Sequence, residues 1–411
     1  MSPHASLPSV GPVRQRYELV DALRGFALCG VLLANLSALT LYQYMGEQAQ
    51  AELPTAAFDQ GAQTALKWLL HHKAVTVFAL LFGFGFTMQL ERAEAGGGAR
   101  SFLRRMAVLL VFGLLHSAFW WGDILLVYAI AGFALLPLRR CPDRWLPWIG
   151  FALALPATAL FGMWWRAQIT AASQPPPEMF AQAFQAASAP SLASAFAGNV
   201  LLLQWWYPLG GLMLVCFSLG RFLLGAWAAR QGLLREPQRH LPLLRSILAW
   251  TLATGLATTA LDAWAEPLKR ALGMAGDAAP GTTFAWSLLR LAGPLLLGIA
   301  IGTAFVLLYQ HPRWQRVLRQ FAPAGRMALT HYLAQTVICS ALFYGYGLGL
   351  GPWGGTPVWF ATWLVLFGAQ MAASRWWLAR FRFGPMEWLW RSITYAQPQA
   401  MRLSPNPEGR A

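Results

Sequence analysis

Residues 103–138 read LRRMAVLLVFGLLHSAFWWGDILLVYAIAGFALLPL, and this stretch decides the fold of the chain. It contains two apolar runs, 103–119 and 123–138, separated by a minimal turn, Trp120-Trp121-Gly122. Each run approaches the length of about 20 residues that a helix needs to cross the hydrocarbon core of a bilayer. The stretch therefore predicts two consecutive membrane helices joined as a tight hairpin.

Eight more apolar stretches of similar length lie on both sides of this hairpin. They cover residues 19–42, 65–90, 145–164, 199–228, 246–264, 284–308, 325–347 and 357–379. The predicted fold is thus all-α: a polytopic transmembrane helix bundle of about ten spans. The stretch 199–228 contains Pro208, and it predicts either one kinked helix or a short interfacial piece followed by a span.

The composition supports a membrane protein with a lipid bilayer as its main partner. Hydrophobic residues make up 57% of the chain and charged residues only 11%, whereas soluble domains carry about 25% charged residues. The net charge of +15 does not predict nucleic-acid binding, because the arginines lie in short clusters between apolar runs rather than in one basic domain. A homo-oligomer is compatible with the sequence.

The arginine clusters predict the topology. They recur in every second loop between spans, at Arg104 and Arg105, then at Arg139 and Arg140, and then at Arg230 and Arg235. Since basic loops stay in the cytoplasm, both termini are predicted to be cytoplasmic. We expect a cytoplasmic N-terminal tail (1–18), a single transmembrane domain (19–380), and a cytoplasmic interfacial segment and tail (381–411). The first apolar run is predicted to be a retained helix rather than a cleaved signal peptide.

His116 and Asp123 are the most suggestive polar residues within the spans. They flank the turn of the hairpin, so they lie on adjacent helices at similar depth and can meet. A carboxylate on one ring nitrogen fixes the tautomer of an imidazole and makes its other nitrogen a better base. The alternative is a purely structural hydrogen bond that staples the hairpin.

Other polar residues near the membrane carry similar pairs of interpretations. Arg24 either forms an interfacial ion pair with Asp21 or holds an anion such as a phosphate. Asn35 is either interhelical glue or part of a site. His72 either binds water at the interface or carries protons. Arg326 lies near the cytoplasmic end of its predicted helix.

The four cysteines predict neither a disulfide nor a metal site. Cys29, Cys216 and Cys339 lie in apolar runs, Cys141 lies in a basic loop, and no CxxC spacing occurs. We therefore expect no bound metal or cofactor.

Several strings make the chain resemble the YeiB-like family, domain-of-unknown-function family 418, of bacterial inner-membrane proteins. The resemblance covers about residues 16–395, and it implies a multi-pass protein of the bacterial inner (cytoplasmic) membrane. The strings are Asp21 to Gly25 with Asn35; Lys73, Phe78 and Leu81 to Gly85; His116 with Gly122 to Leu125 and Tyr128; Gly325 to Thr330 with Tyr332 and Gln335; and Gly384-Pro385 with Glu387 to Arg391.

A more distant resemblance suggests a reaction. The block from Asp21 to Ala27 is similar to the first helix of transmembrane acyltransferases, both the acyltransferase-three family and the heparan-glucosaminide acetyltransferases. In the first group a histidine follows the arginine by eleven residues, whereas this chain has Asn35 there, as in the second group. Asn cannot accept a proton, so the resemblance leaves His71, His72 or His116 for the base.

The leading functional hypothesis is acyl transfer across the membrane. An acyl-CoA donor would place its phosphates among Arg24, Arg326 and Gln335 at the cytoplasmic side. His116, oriented by Asp123, would deprotonate a hydroxyl or amine of a small-molecule, glycan or lipid acceptor at the external side. The oxyanion would be stabilised by Asn35 or by a histidine such as His72.

Two other classes stay open. One is a small-molecule transporter or exporter in which His116 and Asp123 relay protons, although the chain shows no internal repeat of the kind that many transporters have. The other is a structural or sensory membrane protein. Thioester consumption without net substrate movement would favour the enzyme, and flux without a donor would favour transport.

Overall fold

The computed structural model describes residues 18–96, 99–171, 177–265 and 280–403, and within these ranges it is built of helices. The α-helices are α1 (Glu18–Leu39), α2 (Glu47–Ala51), α3 (Ala56–Leu69), α4 (Lys73–Gly96), α5 (Ala99–Phe119), α6 (Leu125–Leu135), α7 (Leu146–Ala152), α8 (Thr158–Ala171), α9 (Pro177–Ser188), α10 (Leu192–Arg230), α11 (Leu241–Ala263), α12 (Pro280–Tyr309), α13 (Pro312–Leu318), α14 (Ala322–Arg326), α15 (Ala328–Phe343), α16 (Gly355–Leu378) and α17 (Pro385–Tyr395).

Some predicted features fall outside the described residues. These are residues 1–17 of the predicted N-terminal tail and residues 404–411 of the predicted C-terminal tail.

The prediction of an all-α membrane bundle is confirmed. In the described part of the chain, eight helical segments are long and apolar enough to cross a membrane. They are Glu18–Leu39, Ala56–Glu91, Arg100–Phe119, Leu146–Gln168, Gly210–Arg230, Pro237–Ala263, Gly281–Tyr309 and Gly355–Leu378. The shorter apolar helices Leu125–Leu135 and Ala328–Phe343 coincide with the remaining two predicted spans.

Many large apolar side chains are exposed on the surface of the bundle. On α11 the side chains of Trp250 and Leu256 are exposed, and on α16 those of Leu364 and Val365 are exposed. A broad surface of exposed apolar side chains is unfavourable in water and favourable in lipid. The chain is therefore a multi-pass membrane protein.

Two predicted spans are interrupted. The stretch 65–90 is split into α3 and α4 by a turn at which His72 adopts a left-handed backbone conformation with φ of 59°. The stretch 325–347 is divided at Met327, where α14 ends and α15 begins. In both places a polar or basic residue lies at the break, where backbone groups leave the regular helical pattern.

Residues 199–228 belong to one continuous helix, α10, rather than to two separate pieces. It runs without interruption from Leu192 to Arg230, which is 39 residues or about 58 Å of helix. This length is about twice the thickness of the hydrocarbon core, which is about 30 Å. Helix α10 therefore begins well before its apolar segment Gly210–Arg230, the part that is long and apolar enough to cross the membrane.

The N-terminal helix lies against the segment that precedes α15. A Cβ atom on Gly325 would lie 1.8 Å from the carbonyl oxygen of Asp21, and one on Gly25 would lie 2.1 Å from that of Phe321. Only glycine permits such a close approach of two helix backbones. We call the end of the bundle where these segments meet, together with Arg105, Arg230 and Arg375, the arginine-rich end.

Candidate functional site

The turn between α5 and α6 is held by an asparagine from α10. The amide nitrogen of Asn199 donates to the carbonyl oxygens of Ser117 and Ala118, each at 2.9 Å. Its amide oxygen accepts from the backbone N–H of Trp121 at 2.6 Å. Asn199 thus satisfies the free carbonyl groups at the end of α5, which would otherwise be buried without partners.

Helix α5, the turn that follows it and helix α15 bring His116, Asp123 and Thr336 together. The Nδ1 atom of His116 lies 2.7 Å from Oδ1 of Asp123, and its Nε2 atom lies 2.8 Å from the hydroxyl oxygen of Thr336 on α15. The exposed fractions of the three residues are 6%, 4% and 2%. A buried hydroxyl, imidazole and carboxylate in series form the arrangement that activates a hydroxyl group in hydrolases and transferases.

Two aromatic residues complete what we call the His116 cluster: His116, Asp123, Thr336, Trp120 and Tyr332. The ring centroid of His116 lies 5.1 Å from that of Tyr332 and 5.9 Å from that of Trp120. The hydroxyl oxygen of Tyr332 accepts from the backbone N–H of Ile124 at 3.3 Å. These rings enclose the imidazole and fix its position.

Asp123 also caps α6. Its Oδ2 atom accepts from the backbone N–H of Leu126 at 2.7 Å, in the first turn of that helix. A carboxylate is favoured at this position because free N–H groups and the helix dipole attract negative charge. The ionised carboxylate can only accept hydrogen bonds, so Nδ1 of His116 carries the proton that joins them.

Two other predicted site residues lie elsewhere. Asn35, on α1, is half-buried, and no hydrogen bond joins its side chain to another described residue. His72 is exposed at the turn before α4, with its ring 4.0 Å from that of His71 and 5.8 Å from that of Phe217. Neither side chain shares a hydrogen bond with the His116 cluster.

A cavity of about 410 Å³ opens at the arginine-rich end. Its basic side chains come from Arg319, Arg326 and Arg375. Its other lining residues are Glu18, Asp21, Gln320, Ala322 and Pro323. The structure thus places Arg326 in a basic cavity, and we call this space the arginine cavity.

The other two predicted donor-binding residues make different contacts. Arg24 pairs with Asp21 at 3.0 Å and does not line the arginine cavity. Gln335 is buried between α15 and α16, where its amide nitrogen donates to the amide oxygen of Gln370 at 3.0 Å. Gln335 therefore lies deeper in the bundle than Arg326: it is seven residues, or about 10 Å, along α15 from Ala328, whereas Arg326 ends α14.

A second buried histidine, His331, lies beside Gln335. Its Nε2 atom is 2.5 Å from the hydroxyl oxygen of Ser374, and that hydroxyl donates to the carbonyl oxygen of Gln370 at 2.7 Å. Since the hydroxyl has already donated its proton, the imidazole is the donor in the His331–Ser374 pair.

Glu387 positions the helix that carries Thr336. Its Oε1 atom accepts from the backbone N–H groups of Leu329 and Thr330 at 2.7 and 3.2 Å, and Oε2 accepts from the Thr330 hydroxyl at 2.5 Å. The Thr330 hydroxyl in turn accepts from the backbone N–H of Met386. Burial raises the pKa of Glu387 above its usual range, and the hydrogen bonds from Thr330 and Leu329 oppose that rise. The first turns of α15 and α17 are thereby locked together.

Sequence reasoning missed Arg221, which is fully buried in α10. Its Nε atom donates to the Thr76 hydroxyl at 2.9 Å and one terminal nitrogen donates to the carbonyl oxygen of Phe217 at 2.8 Å. Its other terminal nitrogen has no partner among the described residues. A lone arginine in an apolar helix was the signal that could have found it, because charge within the membrane is costly.

Sequence reasoning also missed Thr336 and the indole of Trp120 as members of the site. Thr336 is separated from His116 by 220 positions, and a single threonine in an apolar helix carries no signal of its own. The described residues include no group of three or more His, Cys, Asp or Glu side chains placed to hold a metal ion.

The family to which the chain belongs follows from its relatives. The chain is 31% identical over 404 residues to the uncharacterized protein YxaH of Bacillus subtilis (strain 168), covering 93% of this chain and 94% of that protein. It is 31% identical over 407 residues to the uncharacterized protein YeiB of Escherichia coli (strain K12), covering 92% and 96%.

The family profile described as "Protein of unknown function (DUF418)" matches residues 228–397. No solved structure matches the chain. The chain therefore belongs to the YeiB-like DUF418 family, and the predicted resemblance to that family is confirmed.

Proposed function

We propose that this member of the DUF418 family is an acyltransferase of the bacterial inner membrane. It would move an acyl group from a cytoplasmic acyl-CoA donor to a hydroxyl or amine of an acceptor on the external side. The observation that carries the proposal is the buried His116, which bonds a carboxylate through one ring nitrogen and a hydroxyl through the other. Such an imidazole is built to accept a proton from a hydroxyl or amine.

The arginine cavity is the proposed donor site. Arg319, Arg326 and Arg375 offer planar guanidinium groups that match phosphate oxygens. Basic loops stay in the cytoplasm, so the arginine-rich end would face the compartment that holds acyl-CoA. Arg326 ends α14, and Thr336 lies eight residues, or about 12 Å, along α15 from its first residue, Ala328. The extended arm of a CoA thioester can span such a distance.

The acceptor would be a small molecule, a glycan or a lipid that reaches His116 from the external side. His116 lies one turn before the end of α5 that is remote from the arginine-rich end. As the acceptor attacks the carbonyl carbon of the acyl group, Nε2 of His116 takes its proton. Asp123 then stabilises the resulting imidazolium.

The chemical step is tested by thioester cleavage in nanodiscs. We expect wild-type protein, given acetyl-CoA or longer acyl-CoA esters and a panel of hydroxyl and amine acceptors, to release free CoA thiol. His116→Gln should abolish the release. His331→Gln is the matched control, because it changes a buried histidine on another hydrogen-bonded pair and should keep most of the activity. Equal losses in both variants, or no release by wild type, would contradict the proposal.

The donor site is tested by ligand-induced stabilisation. Acetyl-CoA should raise the unfolding temperature of wild type, and Arg375→Gln should weaken that shift. Arg380→Gln is the control, because Arg380 lies on the same segment but its guanidinium packs against Trp376 and does not line the cavity. A shift that Arg375→Gln leaves unchanged would place the donor elsewhere.

A transporter of anionic molecules is the second candidate function, and Arg221 favours it. A fully buried guanidinium within a membrane bundle, with a terminal nitrogen that no described residue bonds, is the kind of group that binds a substrate anion or takes part in a transport pathway. Proteoliposome flux of small organic anions that needs no acyl donor and is lost in Arg221→Met would support transport over acyl transfer.

A further inference from the structure

The hydroxyl of Thr336 bonds a side chain of another helix, whereas those of four other threonines bond a backbone carbonyl group one turn earlier. Thr40, Thr251, Thr259 and Thr394 each donate to the backbone carbonyl oxygen four residues earlier. That local bond is the ordinary solution for a hydroxyl in an apolar helix. Thr336 instead places its oxygen 2.8 Å from Nε2 of His116, across the bundle from its own helix.

The direction of this hydrogen bond follows from the groups around it. Asp123 accepts the Nδ1 proton of His116, so the neutral ring presents an unprotonated Nε2. Thr336 must then be the donor, with its O–H proton aimed at the imidazole. The His331–Ser374 pair has the opposite polarity and bonds no described carboxylate. Of the two histidine–hydroxyl pairs in the described part of the chain, only the one in the His116 cluster therefore has a base-activated hydroxyl.

The cluster also contains a buried donor that lacks an acceptor. Among the described residues the indole Nε1–H of Trp120 has no hydrogen-bond partner, although Trp120 is only 2% exposed. Its ring centroid lies 5.9 Å from that of His116 and 6.5 Å from that of Tyr332. A buried indole N–H normally finds a partner, and the N–H of Trp120 is available to an oxygen atom of a bound acyl group.

We infer that Thr336 is the nucleophile of a covalent acyl-enzyme intermediate, with the Trp120 N–H as the donor to the carbonyl oxygen. This inference rests on the proposed acyltransferase function and deepens it. Thr336 Oγ1 attacks the carbonyl carbon of an acyl thioester while Nε2 of His116 takes the hydroxyl proton. The C–O bond forms, the C–S bond breaks, and His116 returns the proton to the departing thiolate.

The second half of the reaction reverses these roles. The acceptor hydroxyl or amine gives its proton to His116 and attacks the ester on Thr336. The new acyl bond forms, the bond to Thr336 Oγ1 breaks, and His116 reprotonates that oxygen. The thiol and the acceptor thus need not occupy the site together, which suits a donor and an acceptor that approach from opposite ends of the bundle.

The experiment uses full-length protein in nanodiscs with isotope-labelled acetyl-CoA and no acceptor. We expect mass spectrometry of the quenched protein to find one acetyl ester, removable by alkaline hydroxylamine, on the peptide that contains Thr336. Thr336→Ser should retain the adduct and Thr336→Val should lose it. Ser374→Ala is the matched control, because it removes the hydroxyl of the other histidine pair, and it should retain the adduct.

Two kinds of outcome would overturn the inference, and they differ from failure of the proposed function. If wild type and Thr336→Val release CoA thiol at similar rates with an acceptor present, transfer is direct and Thr336 is not the nucleophile, although the acyltransferase proposal stands. If wild type cleaves no acyl-CoA with any acceptor and a fluorophosphonate probe for activated hydroxyls leaves Thr336 unlabelled, both proposals fall.

Discussion

At the scale of single residues, His116 and Asn199 differ in what they stabilise. Asn199 satisfies the carbonyl groups at the end of α5, so the hairpin has a staple that is independent of the imidazole. The imidazole of His116 bonds no backbone group, because both of its ring nitrogens contact side chains. This division favours a chemical role for His116 and a structural one for Asn199.

Asp123→Asn should separate chemistry from structure. An asparagine amide donates to Nδ1 and thereby forces the imidazole into the tautomer whose Nε2 carries the proton and cannot accept one. We expect thioester cleavage to fall by about three to four orders of magnitude, as for the equivalent change in a serine protease triad. The amide oxygen can still accept from Leu126 N–H, so the unfolding temperature should change little. A large drop in the unfolding temperature with retained activity per folded molecule would favour the staple interpretation.

At the scale of elements, buried carboxylates fix the first turns of three helices. Asp123 caps α6, Glu387 caps α15, and Asp59 on α3 accepts from the backbone N–H of Thr356 at the start of α16 at 2.7 Å. Two of these three helices carry the His116 cluster or border its turn. The position of the site therefore depends on Asp123 within its own turn and on Glu387 from the segment after the last span.

Glu387 should make the stability of the chain depend on pH. The raised pKa of this carboxyl means that the folded protein holds the proton to higher pH than the unfolded chain does. Its stabilising contribution is therefore full below the ordinary carboxyl pKa and declines as the pH rises through the raised pKa. Glu387→Gln cannot titrate, so it should flatten this decline.

The measurement is the unfolding temperature in nanodiscs between about pH 4 and about pH 8, the range in which carboxyl linkage acts. The control is Glu47→Gln, at an exposed position, which should leave the wild-type slope unchanged. If Glu387→Gln shows the same slope as wild type, titration of Glu387 does not contribute.

The contact between α1 and α14 should be intolerant of a single methyl group. Gly325→Ala would place a Cβ atom 1.8 Å from the carbonyl oxygen of Asp21, so the helices must separate. Strain of this kind costs about 1–3 kcal/mol, and Asp21 and Arg326 both line the arginine cavity. We expect a lower unfolding temperature and a weaker acetyl-CoA shift. Gly368→Ala is the control, because a Cβ there meets no atom within 4 Å; equal behaviour of the two variants would contradict the prediction.

At the scale of the whole molecule, the sequence predicted the bundle well because span length and apolarity are local properties. It also brought His116 to Asp123, because only seven positions and one tight turn separate them. It could not predict the contact of Thr336 with His116 or that of Arg221 with Thr76, which join residues 220 and 145 positions apart. Those contacts depend on which helices become neighbours, and apolar patterning does not encode that choice.

Orientation is the property on which the proposed direction of acyl transfer depends. The arginine-rich end should be cytoplasmic, because moving several arginines across the membrane is far less favourable than retaining them. In a variant with its four native cysteines replaced, Gln315→Cys on exposed α13 should stay unlabelled by a membrane-impermeant maleimide in spheroplasts and react after lysis. Ala49→Cys, on exposed α2 at the opposite end, should react in intact spheroplasts. The reverse pattern would place the arginine cavity outside the cell, away from acyl-CoA, and would leave Arg319, Arg326 and Arg375 to bind an external anion instead.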